Sequence, residues 1–61
     1  MTNYFYNLNG KTYKTHKAMT EEIKAEIFRA YFAGESIVRT VQHGKEIRNE
    51  EYIDGLWVEM N

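Results

Sequence analysis

Few side chains in this chain are equipped for covalent chemistry. Ser36 is the only serine, and His16 and His43 are the only histidines. A Ser/His/Asp set would have to draw on Ser36, one histidine and Asp54. Ser36 lies in Gly34-Glu35-Ser36-Ile37, without the Gly-x-Ser-x-Gly turn that exposes a hydrolase nucleophile. His16, His43, Glu50, Glu51 and Asp54 show no familiar metal-ligand spacing. There are no cysteines, which excludes disulfides, thiolate zinc sites and iron–sulfur clusters. No glycine-rich phosphate loop is present. A chain of 61 residues also leaves little room for a positioned pocket. The chain therefore reads as a binding module rather than an enzyme, with no cofactor and no metal.

Nucleic acid is one candidate partner. Lys11, Tyr13, Lys14 and Lys17 interleave base and aromatic, a pattern that binds single strands by charge and stacking. Lysines on an edge strand also deter aggregation. The net charge of −1 gives no overall basic footprint. The charge is unevenly spread, however. Residues 1–45 hold seven Lys/Arg against four Glu, or +3, and residues 46–61 hold five acids against one Arg, or −4. Gly34-Glu35-Ser36-Ile37 fits the turn of a helix-turn-helix, but the β-branched run after it argues against a recognition helix.

The elements that must position these groups are legible in part. Asn9-Gly10 lies between Tyr4-Phe5-Tyr6-Asn7-Leu8 and Lys11-Thr12-Tyr13-Lys14-Thr15. Asn-Gly suits a type I′ turn because both residues tolerate positive φ. A two-residue loop pairs Leu8 with Lys11, Tyr6 with Tyr13 and Phe5 with Lys14. Tyr4, Tyr6, Leu8 and Tyr13 then share the core face. Thr20 is a helix N-cap, Glu21 and Glu22 suit the positive end of the helix dipole, and Gly34 suits the C′ position. The helix is expected over residues 20–33. At about 100° per residue, Ile23, Ile27, Ala30 and Tyr31 form one apolar stripe, while Phe28, Phe32 and Ala25 form a second, roughly opposite. A helix on a small sheet buries one side only. The second stripe is covered by the C-terminal segment, by a second copy or by a partner. Ile37-Val38-Arg39-Thr40-Val41 reads as a strand, and His43-Gly44 as a turn. Residues 45–53 are ambiguous. Asp54-Gly55 is a turn signal, and Leu56-Trp57-Val58-Glu59-Met60 alternates as a short strand. The order is β-β-α-β with one or two further strands: a single α+β domain over 1–61, its helix packed on an antiparallel sheet.

The stretch Gly10-Lys11-Thr12-Tyr13, followed by His16-Lys17, precedes a helix that carries Phe28 and Phe32 four apart and ends at Gly34. In this order the chain resembles the small uracil-DNA glycosylase inhibitors of Bacillus phages, over residues 4–42. Those have a hairpin turn running Gly-Lys, an aromatic two residues on, and His-Lys closing the second strand. A helix with two aromatics four apart, a terminal glycine and a third strand follow. The resemblance implies a phage-encoded homodimer that mimics DNA and occupies the DNA-binding groove of the host enzyme. Such enzymes flip a base and wedge an apolar side chain into the gap. The family's helix aromatics cage that wedge, a leucine of the enzyme, so Phe28 and Phe32 are the implied cage. Ala25, Arg29 and Glu21 are expected beside it. The family is strongly acidic, and Arg29 stands where it has an acid. Glu46, Glu50, Glu51 and Asp54, with Glu59, are the acids expected to supply negative charge here. The other readings are a DNA- or RNA-binding regulator using the Lys-rich hairpin, and a phage inhibitor of another host nucleic-acid machine.

Size bears on assembly and location. A domain of about 60 residues buries only about 60% of its extended surface. Without disulfides or a metal, oligomerisation is the remaining remedy. A homodimer is expected, through the sheet edge or the helix margin. Nine aromatics in 61 residues exceed what one small core can hold, so some are expected to face partners. No apolar run approaches the ~18 residues of a membrane span, and the N-terminus lacks a signal-peptide pattern. The expected location is the cytoplasm, that of the host cell for a phage protein.

Overall fold

Asn9 and Gly10 have φ of 53° and 77°, the left-handed pair that a type I′ turn needs. They join β1 (Thr2–Leu8) to β2 (Lys11–Thr15) in the expected register, with Tyr6 opposite Tyr13 and Phe5 opposite Lys14. The structure, a computed structural model, describes residues 1–60. The helix α1 follows at Glu21–Phe32, and then the strands β3 (Val38–His43), β4 (Glu46–Ile53) and β5 (Leu56–Glu59). All five strands form one antiparallel sheet in the order β2-β1-β3-β4-β5. The fold is α+β, with three strands after the helix. The ambiguous stretch 45–53 contains the longest strand. Its turn with β3 falls at Gly44-Lys45, one residue later than the His43-Gly44 reading. Both faces of β4 mix charged and apolar residues, so no clean alternation betrays it in sequence.

The helix ends are chemically specified. Thr20 Oγ1 accepts from the Ile23 N–H at 3.1 Å. Beyond Phe32 the chain closes in a Schellman arrangement, with Glu35 N–H donating to Ala30 at 3.0 Å and Gly34 N–H to Tyr31 at 3.1 Å. Gly34, at φ 73°, supplies the left-handed residue this closure requires. Asn9 ties the hairpin turn to the helix through Nδ2, which donates to Glu26 Oε1 at 3.0 Å.

The helix covers one face of the sheet. Tyr6, Leu8, Ile23, Ile27, Ala30 and Ile37 form the core, with Tyr4, Tyr13, Tyr52 and Trp57 packed around it. At the centre lies Arg39. Its Nε donates to Glu50 Oε1 at 2.7 Å, and a terminal nitrogen donates to the Tyr6 hydroxyl at 3.1 Å. The guanidinium sits 4.0 Å from the Trp57 ring centroid and 5.4 Å from that of Tyr4. A planar, weakly hydrated cation suits such a site, where a lysine would not. Tyr6 in turn donates to the Ala18 carbonyl, fastening the β2–α1 connection. Among the described residues, no helix is long and apolar enough to cross a membrane.

Candidate functional site

The helix presents its stripes unequally. Ile23, Ile27 and Ala30 are buried, while Phe28, Tyr31 and Phe32 are 53%, 62% and 82% exposed. Tyr31 belongs to the first stripe by angle, yet it stands at the rim and meets Phe32 edge to face at 5.7 Å between centroids. Between these aromatics and the β4–β5 turn runs an apolar groove of about 280 Å³, lined by Ile27, Phe28, Tyr31, Phe32, Tyr52, Asp54 and Gly55. Asp54 and Gly55, at φ 51° and 84°, form a second left-handed turn that builds the opposite wall. The C-terminal segment thus flanks the second stripe without covering it. A shallower depression of about 330 Å³ adjoins the groove, and Glu35, Ser36, Glu51 and Asp54 are among its lining residues. The C-terminal end of the helix lies here, and its dipole adds to the negative potential.

The expected site residues divide sharply. Phe28, Phe32 and Asp54 meet at the groove. Ala25 and Glu21 are exposed on the helix but line neither depression. Arg29 is exposed and pairs with Glu26 at 3.3 Å, which offsets its charge. Glu50 is no surface acid: it is 9% exposed and held by Arg39. Adjacent strand residues point to opposite faces, so Glu51 lies on the far side of the sheet from Glu50. Glu46 opens β4, at the opposite end from Asp54. The tail acids therefore form no continuous strip: Asp54 alone of them lines the groove, and Glu51 lines the adjoining depression with it. Tyr31, Tyr52 and Gly55 complete the groove unforeseen. By angle Tyr31 belongs with the core stripe, and Tyr52 falls in the stretch 45–53 that is ambiguous in sequence. The Asp54-Gly55 signal marked the turn but not what it faces.

His43 Nδ1 pairs with Thr2 Oγ1 at 2.7 Å across β1 and β3, and neither histidine lines a depression. Among the described residues, no group of three His, Cys, Asp or Glu is placed to hold a metal ion. In the hairpin, Tyr13 packs on the core while Lys14 lies on the other face, its Nζ 5.7 Å from the Phe5 ring centroid. The interleaved pattern thus splits across two faces. Compared with known proteins, the chain matches no family model, no curated protein and no solved structure.

Proposed function

We propose that this protein is a small inhibitor that receives an apolar side chain of its target in the groove between α1 and the β4–β5 turn. Uracil-DNA glycosylase is the proposed target, bound at its DNA-binding groove. The chain on this reading is phage-encoded and acts in the host cytoplasm. The observation that carries the reading is the exposed trio Phe28, Tyr31 and Phe32 beside an open groove. Large aromatics in such numbers on one short helix are costly to solvate and are typical anchors of interfaces. At about 280 Å³ the groove falls just below the ~300–1,000 Å³ of small-molecule sites and suits one large side chain. Asp54 and the helix C-terminus favour a target surface that is basic, as a DNA-binding groove is.

The test separates binding from folding. Phe28→Ala and Phe32→Ala should each weaken the inhibitory complex by about 2 kcal/mol or more, read by titration and by a glycosylase assay. Both should keep the wild-type melting temperature to within what ~0.5 kcal/mol allows. Ile27→Ala, a core truncation, should instead cost about 2–4 kcal/mol of stability. Wild-type protein that leaves glycosylase activity untouched at saturating concentration sinks the named target. Phe variants that melt like Ile27→Ala would show that the aromatics are core.

A further inference from the structure

Asn9 stands at the tip of the β1–β2 hairpin, directly before a glycine. An asparagine so placed is open to spontaneous ring closure. The backbone nitrogen of the next residue attacks the side-chain carbonyl carbon, and glycine offers that nitrogen without a crowding side chain. The space around Gly10 is open, since a Cβ built there meets nothing within 4 Å. The other described asparagines, Asn3, Asn7 and Asn49, precede Tyr4, Leu8 and Glu50, whose side chains crowd the attack. They also lie within paired strands.

Two features of the native structure hold this chemistry back. Asn9 has φ of 53°, in the left-handed region. Backbone in that region has ψ of about +47°. Such a ψ sets the Gly10 nitrogen roughly trans to the Asn9 Cβ, whereas ring closure needs the two eclipsed. The side chain is also tied down. Its Nδ2 donates to Glu26 Oε1 at 3.0 Å and to the Glu26 carbonyl at 3.3 Å. Both bonds aim the amide at the helix and away from Gly10.

We propose that Asn9 is a latent deamidation site, closed by the hairpin turn and by Glu26, and opened whenever hairpin and helix part. This goes beyond the inhibitory reading and does not depend on it. Water is the only co-reactant. The Gly10 nitrogen forms a bond to Asn9 Cγ and gives up its proton to water. The Cγ–Nδ2 bond breaks, and the amide nitrogen takes up a proton and leaves as ammonia. Water then opens the cyclic imide at either carbonyl, which puts aspartate or isoaspartate at position 9. No oxidation or reduction is involved.

The product cannot remake the contact. A donor has become an acceptor, and it faces Glu26 Oε1. Two carboxylates then share one cation, Arg29, which lies 3.3 Å from Glu26 and is 72% exposed. Like charges that close disfavour the structure that holds them together. Isoaspartate also lengthens the backbone within a two-residue turn, which breaks its register. Some openings therefore become permanent, and the hairpin carries a timer that runs only while the fold is loosened.

Peptide mapping by mass spectrometry on the full chain, aged at mildly alkaline pH, tests this. In denaturant, Asn9 should react ahead of every other asparagine. In the native protein it should react at least about tenfold more slowly, as a site reached only by local opening does. Glu26→Ala should speed the native reaction severalfold, while Glu26→Gln, which keeps an acceptor, should not. Val41→Ala truncates a buried residue of β3 away from the turn and shows what general loosening contributes. Glu26→Ala has to exceed it for the same loss of melting temperature. Asn9→Asp should lower the melting temperature, and adding Glu26→Gln should restore it, because the glutamine amide donates to the new carboxylate. Equal native and denatured rates at Asn9 overturn the proposal. So does a Glu26→Ala rate no faster than that of Val41→Ala, or an Asn9→Asp chain as stable as wild type.

Discussion

Arg39 shows how far one residue's role can depend on its setting. Its side chain and that of Glu50 are 13% and 12% exposed, beneath Tyr4, Tyr6 and Trp57. Removing one member of a buried pair strands the other charge, whereas replacing both by apolar groups can be neutral. Glu50→Ala should therefore destabilise the protein by about 3 kcal/mol, and Arg39→Met by a similar amount. The double variant Arg39→Met/Glu50→Leu should recover most of that loss, seen as coupling in a denaturant cycle. None of this was legible in sequence. Glu50-Glu51 reads as two solvated acids, because composition does not record which of two neighbours faces inward. Once the register is known, alternation alone sends Glu50 toward Arg39 and Glu51 away. The exposed aromatics of α1 are the opposite case. Angular spacing sets Phe28 and Phe32 opposite the buried stripe but leaves open whether the C-terminal segment covers them, and they stand exposed.

At the scale of elements, the readable parts are those with local determinants. Asn9-Gly10 fixes a turn and a register, and Thr20 and Gly34 bracket the helix. Each depends on contacts within a few residues. A Cβ at Gly10 would meet no atom within 4 Å, so the cost of a side chain there is purely torsional. Gly10→Val should lose about 1–2 kcal/mol or more from φ of 77°. Thermal unfolding checks this, and an unchanged melting temperature would contradict the turn. The unreadable element was β4, whose identity is set by neighbours distant in sequence. It lies between β3 and β5, and each supplies one ladder of hydrogen bonds. The groove was hidden for the same reason, because one of its walls is the far turn of that strand.

The whole molecule divides into two runs of local pairing. β1, β2 and α1 form one, and the β3–β4–β5 meander forms the other. A single ladder joins them, in which Asn7 faces Val38 and Thr2 faces His43. Arg39 reinforces that seam by touching Tyr6 on one side and Glu50 on the other. The topology has a kinetic consequence. Hairpins close quickly because their partners are near in sequence, while the seam must first spend the entropy of closing the loop that holds the helix. Seam formation should then be the rate-limiting step. Phe5 sits on the seam opposite Thr40. Phe5→Ala should slow refolding more than it accelerates unfolding, the mark of a residue engaged in the transition state. Trp57, the only tryptophan, lies against Arg39 and makes both rates visible by stopped-flow fluorescence. Unchanged refolding in that variant would place the barrier within one of the halves instead.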